Sequence, residues 1–203
     1  MPIEKLIKGF ESFRESNYSQ TSNYYVSLGE KGQSPDTMVI ACSDSRVSPT
    51  AIFSAQPNEI FTVRNVANLV PKYRPDQNYD GTSAAIEYAV QVLSVDHIIV
   101  LGHSNCGGID NLCKMSVKST RWEFIDQWVS IVSDARKSQM SGDMLNKIVE
   151  QGAITISLQN LLTFPWVEKA VESGALELHG WWFDIKTGTL KSCSKKSDWV
   201  TLR

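Results

Sequence analysis

The sequence predicts an α/β domain with a mainly parallel central sheet, and three observations predict it. Short, nearly all-apolar runs rich in β-branched residues alternate with stretches of helical spacing, and no repeat, low-complexity tract or Gly/Ser linker divides the 203 residues. A chain of this length lies somewhat above the usual domain of ~100–150 residues, so a single domain is expected, with an N-terminal helical arm over 1–34 and an α/β core over 35–203. At 42% apolar and 21% charged residues it can bury a core. The net charge is −2 with acids and bases interspersed, so no basic patch selects nucleic acid and no basic amphipathic run selects a membrane.

The elements follow in order. Residues 3–16 set Ile3, Leu6, Ile7, Phe10 and Phe13 at roughly helical spacing, an amphipathic helix able to pack on its own core or on a partner subunit. "MPIEKLIKGFESF" has no long apolar stretch after a basic start and no small-residue cleavage site, and no later run is long enough to span a bilayer. A cytoplasmic protein is expected. "TMVIAC" (37–42) and "HIIVLGH" (97–103) have the composition of strands buried on both faces of a parallel sheet. "EIFTVRN" (59–65) and "LELHGWWFDI" (176–185) are two further strands. Ser48 as N-cap and Pro49 at the first helical position open a helix in "SPTAIFSA". "SAAIEYAVQVLS" is a second helix, one more begins near Ile109, and "ITISLQNLLTFPWVEKAVESG" is helical up to a stop at Gly174, kinked or divided by Pro165. The proline-rich loop at 70–81 is too short to separate domains.

Four cysteines, Cys42, Cys106, Cys113 and Cys193, lie in a chain large enough to fold without staples, so reduced thiols, some of them metal ligands, are expected. Two reactive clusters stand out. "ACSDSRVSPT" (41–50) follows one apolar strand and "GHSNCGG" (102–108) another, so both sit at carboxyl ends of strands, where open α/β sheets bind ligands. Together Cys42, His103 and Cys106 offer two thiolates and an imidazole. That set suits Zn²⁺, and three protein ligands leave a fourth tetrahedral position open for catalysis. Neither Cys113 nor Cys193 lies in a motif that would close it. Asp44 follows Cys42 by two positions and would point the same way on extended backbone. It could bind the metal or accept a hydrogen bond from a zinc-bound hydroxide. Arg46 could grip Asp44 with its planar fork, keep it ionised and hold it off the metal. For an isolated Asp-x-Arg, a salt-bridged surface loop is the alternative.

"CSDSRV", "VRNVAN", "GTSAAIEYAV", "VLGHSNCGG", "SLQNLLTFPWV" and "LHGWWFDIKTG", in this order, resemble the β-class carbonic anhydrases from the N-terminal helix to about Leu190. The resemblance implies a Zn²⁺ enzyme that interconverts CO₂ and bicarbonate, with Cys42, His103 and Cys106 on the metal and Asp44 and Arg46 as the catalytic dyad. Asp44 as a fourth ligand would give a closed, inactive state. The resemblance further implies substrate-binding roles for Gln33, for Phe61, Val66 and Tyr88 in an apolar CO₂ pocket, and for Gly107, whose backbone N–H could meet a bicarbonate oxygen. Ordinary packing is the alternative for each apolar residue, a plain turn for Gln33, and a turn role is expected of Gly108. The implied fold has about four parallel strands plus an antiparallel edge strand. It assembles as a homodimer or a higher even-numbered oligomer, the N-terminal helix packs on the partner subunit, and the partner supplies part of the CO₂ pocket. Val39 and Ala41 stand where bicarbonate-regulated members carry tryptophan and glycine, which points to the non-allosteric, plant-like subtype.

The remaining conspicuous residues have plainer readings. His97 and His179 lie within or beside strands and read as structural histidines. Cys113 reads as a small buried apolar group, Trp181, Trp182 and Phe183 as packing, and Glu87 as a helix residue with a salt-bridge partner. Three rivals to the hydration reading exist. They are a hydrolase of the same fold acting on carbon disulfide or carbonyl sulfide, a non-catalytic zinc-binding structural homologue, and a thiol enzyme, against which the lack of a Cys-x-x-Cys stands.

Overall fold

The computed structural model describes residues 2–76, 80–115, 121–136, 143–193 and 198–202. The chain forms two compact units, Met1–Ser34 and Pro35–Arg203. In the first, α1 (Ile3–Phe13) continues through a wide turn at Arg14–Tyr18, and α2 (Ser22–Lys31) follows. Phe13, Tyr18 and Tyr25 cluster, with Tyr25 5.8 Å from Phe13 and 5.2 Å from Tyr18 between ring centroids. Ile3, Leu6, Ile7 and Phe10 form an exposed apolar stripe along α1.

The second unit is built on a six-stranded sheet of order β2-β1-β3-β4-β5-β6. Its strands are β1 (Thr37–Cys42), β2 (Ile60–Asn65), β3 (His97–His103), β4 (Glu177–Phe183), β5 (Leu190–Cys193) and β6 (Trp199–Thr201). The first four pair in parallel, and β5 and β6 add on antiparallel. Two antiparallel strands thus stand where one edge strand was expected. Both are short and only half-buried or exposed, so neither carries the apolar run that marks the central strands.

Both faces of β1 and β3 are buried, which is why their sequences are apolar throughout. Met38, Ile40, Ile98 and Val100 face Ile154, Leu161, Phe164 and Trp182, while Val39, Ala41, Ile99 and Leu101 form the other face. Each such Val, Leu, Ile, Met or Phe side chain contributes about 1.5–3 kcal/mol by leaving water. Over the first face runs α7 (Asp143–Leu161), seated where β3 and β4 carry glycine. A Cβ on Gly102 would lie 2.7 Å from Ile154 Cδ1, and one on Gly180 would lie 2.9 Å from both Ile154 Cγ2 and Leu158 Cδ1. The missing β-carbons therefore let the helix sit against the strands. One turn before Ile154, on the same helical face, is Glu150.

The remaining helices follow the sequence reading with local differences. α3 (Pro49–Ile52) starts at Pro49, but Ser48 Oγ pairs with Thr50 Oγ1 instead of capping the backbone. α4 (Gly81–Glu87) is capped by Asp80, which accepts the Thr82 N–H at 3.0 Å, and runs on into a wide turn at Tyr88–Val92. α5 (Gly107–Lys114) begins two residues before Ile109. α6 (Ile125–Val129) and the 3₁₀ turn Ser130–Ala135 were not legible in the pattern. Pro165 divides the last helical stretch and starts α8 (Pro165–Glu172), which Gly174 ends at φ +76°. In the loop at 70–81, residues 77–79 lie outside the described residues.

Candidate metal centre

The two reactive clusters meet because β1 and β3 are neighbours in parallel register, with Ala41 opposite Leu101. Cys42 is therefore carried to the same carboxyl end of the sheet as His103, the last residue of β3. Beyond His103 the chain reverses through Asn105 at φ +56°, a left-handed conformation that asparagine tolerates better than most residues. That turn makes Cys106 the N-cap of α5 and brings its Sγ to 3.9 Å from Cys42 Sγ. Ligand atoms of Cys42, His103 and Cys106 all lie within 4.8 Å of one another, and all three residues are buried.

The fit to a metal rests on one atom. His103 Nδ1–H donates to the Ser104 carbonyl at 2.9 Å, which leaves Nε2 as a bare lone pair, buried and without a hydrogen-bond partner. A buried polar atom of this kind calls for an explanation, and a cation shared with two adjacent thiol sulfurs supplies one. The sulfur-rich, three-donor set fits Zn²⁺.

Protons compete for the same lone pairs. The contact with Cys106 lowers the Cys42 pKa, against the opposing effect of burial. The same contact and burial push the Cys106 thiol up. For His103, burial works against the charged form, but Cys42, the Ser104 carbonyl and Asp44 outweigh it and the net shift is upward. A metal that binds these three side chains therefore displaces protons they would otherwise hold.

Asp44 reaches the centre by a different route from the one its spacing suggests. β1 ends at Cys42, and Asp44 opens a turn in which Val47 N–H donates to the Asp44 carbonyl at 3.1 Å and Arg46 N–H donates to Asp44 Oδ1 at 2.9 Å. A turn, not strand alternation, brings Asp44 and Arg46 together. Arg46 then forks the carboxylate, Nε to Oδ1 at 2.9 Å and Nη2 to Oδ2 at 2.7 Å. Nη2 also donates to the Asn105 carbonyl at 3.0 Å, tying the first cluster to the second. The Arg46 contact holds the Asp44 carboxyl well below the usual carboxylate range. Asp44 Oδ2 stands 3.9 Å from His103 Nε2 but is not part of the three-ligand group.

Three residues that sequence reasoning passed over complete the surroundings. Arg64 donates from Nε to the Cys42 carbonyl at 2.9 Å and from Nη2 to the Asp44 carbonyl at 2.6 Å, pinning the turn. Asn105 makes the turn between His103 and Cys106. Glu150, 4% exposed, accepts the Cys106 N–H at 3.1 Å and the Trp182 indole N–H at 3.1 Å, and burial raises its pKa. A basic residue inside an apolar strand was the available signal for Arg64. Glu150 gave none, because a glutamate on a helix normally faces water.

The other sequence-derived residues divide. Gly107 starts α5, and a Cβ there would meet nothing within 4 Å, whereas one on Gly108 would lie 2.8 Å from Val66 Cγ1. Gly108 therefore permits close packing, and Val66 lies beside the start of α5, its carbonyl accepting the Trp128 indole N–H at 2.7 Å. Phe61 and Tyr88 stack on each other at 5.8 Å. Phe61 pairs with Met38, four residues before the Asn65–Cys42 pair, so it lies about 13 Å down the strand from Cys42. Gln33 belongs to the Met1–Ser34 unit and is exposed. Glu87 accepts from Gln91 Nε2 at 3.1 Å, an amide where a cation was expected. Trp182 is buried in the core, Trp181 packs edge-on against Phe53, and Cys113 is half-buried. His97 and His179 face each other, with Nδ1 and Nε2 3.2 Å apart.

Comparison with known proteins agrees with this geometry. Residues 37–190 match the carbonic anhydrase family. Beta carbonic anhydrase 5, chloroplastic, of Arabidopsis thaliana is 39% identical over 182 residues, covering 87% of this chain and 60% of the relative, so the chain spans less than two thirds of that protein's length. The solved structure of the beta-carbonic anhydrase CcaA superposes with a TM-score of 0.92 at 31% identity, covering 99% of this chain and 92% of the other. A tetrameric beta-carbonic anhydrase from Sordaria macrospora gives a TM-score of 0.82 at 28% identity, covering 94% and 95%. With the family match, the plant relative and the Cys-His-Cys centre in agreement, this chain belongs to the carbonic anhydrase family and, within it, to the β class.

Proposed function

We propose that the chain catalyses the reversible hydration of CO₂ to bicarbonate and a proton, with Cys42, His103 and Cys106 holding Zn²⁺ and with Asp44 and Arg46 acting beside it. The observation that carries this reading is the buried, unpartnered His103 Nε2 among two thiols, with the Arg46-held carboxylate 3.9 Å away. When bound, Zn²⁺ supplies Lewis acidity that makes water a nucleophile near neutral pH, for which carbonic anhydrase is the established example.

The chain's own residues supply orientation. Ser104 fixes the His103 tautomer through Nδ1, so Nε2 stays a donor lone pair. Arg46 keeps Asp44 ionised, hence purely a hydrogen-bond acceptor. Asp44 would accept a hydrogen bond from the attacking oxygen and so turn a lone pair of that oxygen toward the CO₂ carbon. While Arg46 grips both carboxylate oxygens, Asp44 is also restrained from the fourth ligand position of a closed state. The Gly107 N–H, at the start of an eight-residue helix, would meet a bicarbonate oxygen.

Val66 supports an apolar wall next to the centre. Phe61 and Tyr88, stacked far from their own Cys42, complete the wall of a second copy's site, and Gln33 contributes a hydrogen bond to substrate. The exposed stripe of Ile3, Leu6, Ile7 and Phe10 supports an arm that packs on a partner, in a homodimer or a higher even-numbered assembly. Among the described residues no helix is long and apolar enough to cross a membrane. Two thiols that must stay reduced support a cytoplasmic location.

Stopped-flow CO₂ hydration on zinc-quantified protein across pH tests the reading. Zinc-dependent activity that rises with pH is expected, with non-cooperative inhibition by bicarbonate. Zinc-loaded protein that is inert toward CO₂ but hydrolyses carbon disulfide or carbonyl sulfide would overturn it.

A further inference from the structure

We infer that His97, Glu177 and His179 form a second divalent-cation site, at the amino-terminal ends of β3 and β4 and so at the opposite end of the strands from Cys42, suited to a borderline transition ion of the Zn²⁺, Co²⁺ or Ni²⁺ kind. Sheet register creates it. His97 pairs with Glu177 and Ile99 with His179 between parallel β3 and β4, and the two-residue alternation of each strand puts all three side chains on one face. No other part of the sequence is needed to gather them.

The three ligand atoms are already spaced for an ion. His97 Nδ1 is 3.2 Å from His179 Nε2, and Glu177 Oε2 is 3.8 Å from the first and 3.7 Å from the second. A tetrahedral ion with bonds of about 2.0–2.2 Å separates its donors by about 3.3–3.6 Å, so closure requires shifts of only a few tenths of an ångström. Two imidazoles and a carboxylate form a ligand set that occurs in open zinc sites, with a fourth position left to water or another ligand. It contains no sulfur, so its preference is harder than that of the Cys42 centre.

The scaffold beneath is rigid and the approach is open. The Asp36 carbonyl accepts both the Asp96 and His97 N–H groups, at 2.8 and 3.1 Å, and the Asp96 carbonyl accepts the Glu177 N–H at 2.8 Å. The first residues of β3 and β4 are thereby tied to one another, which favours a defined ligand geometry. The side chains of His97, Glu177 and His179 are 43%, 68% and 31% exposed, enough for an ion to enter from solvent. An ion held there would cross-link β3 to β4 and stabilise the folded chain by mass action.

The test uses tag-free holoenzyme that carries one zinc per chain. Titration with Zn²⁺, and separately with Ni²⁺, followed by calorimetry and elemental analysis, is expected to show a second equivalent together with a higher melting temperature. His97→Ala and His179→Ala should each abolish the second equivalent while the first zinc and CO₂ hydration remain. Glu177→Gln, which keeps the shape but removes the charge, should weaken it. Absence of a second equivalent at millimolar metal would show that the two imidazoles share only a proton, and would overturn the proposal. A second equivalent undiminished in both histidine variants would overturn it equally, by placing the ion elsewhere.

Discussion

His97 and His103 are the first and last residues of one strand, and each end of that strand gathers a histidine-bearing cluster by different means. At the His97 end, register alone places three half-exposed or exposed side chains on one face. At the His103 end the ligands are buried, and irregular backbone is required: a left-handed Asn105, a turn at Asp44–Val47, and polar ties from Arg64 and Glu150. Regular structure suffices to bring polar groups together where water can still solvate them. Burying them demands that every backbone and side-chain polar atom around them finds a partner, which strands alone do not provide.

The sharpest way to break this contrast is to alter chemistry at one end and read both. Asp44→Asn should retain zinc and lose about 10²–10³-fold in CO₂ hydration, the scale of a lost orienting polar group, as measured by stopped flow. His179→Ala should leave the rate unchanged. Full activity in zinc-loaded Asp44→Asn would remove the dyad from the mechanism.

Glu150→Gln comes next. The amide can still accept from Cys106 N–H, but its NH₂ cannot accept from the Trp182 indole, so one buried donor loses its partner. Zinc affinity at the Cys42 centre should fall by about 10–100-fold in chelator competition, as for other groups that hold a ligand in place. An unchanged affinity would mean that the burial of Glu150 has no bearing on the metal.

A Cβ at Gly180 would press on Ile154 and Leu158. Gly180→Ala should cost about 1–3 kcal/mol by overpacking, seen as a melting-temperature drop of about 2–4 °C per kcal/mol. Because α7 carries Glu150, its displacement should weaken zinc binding as well, and a drop in stability with no change at the metal would uncouple helix seating from the site.

The pH dependence of metal binding bears on the same centre. The His103 and Cys106 pKa values are raised, so both groups carry protons to higher pH than usual, and the metal must displace them. Raising pH removes those protons beforehand. Apparent zinc affinity should therefore increase through neutrality by about tenfold per pH unit for each proton released, and a flat profile would contradict the assigned ligands.

The sequence made the central strands and the Cys-His-Cys set legible for a common reason: apolar runs have to be buried, and thiols and imidazoles at their ends are too uncommon there to be filler. β5 and β6 escaped because short, half-exposed strands have no strong alternation. Asp44 and Arg46 were rightly paired but by the wrong geometry, since spacing alone does not distinguish an extended strand from an Asx turn. Glu150 was invisible because its partners, the Cys106 N–H and the Trp182 indole, lie 44 and 32 positions away. The pairing of His97 with His179 likewise exists only once β3 and β4 are in register, 82 positions apart.

The arrangement of the centre also bears on how the protein is made. Cys42 and Cys106 are 64 positions apart and Glu150 lies 44 beyond Cys106, so the pocket exists only after β1 and β3 have paired and α7 has docked. Long-range pairing of parallel strands is slow, because chain closure comes before its reward. Zinc uptake during refolding is therefore a clock for the last steps of assembly: a chain that has captured its ion with native affinity has finished folding around it.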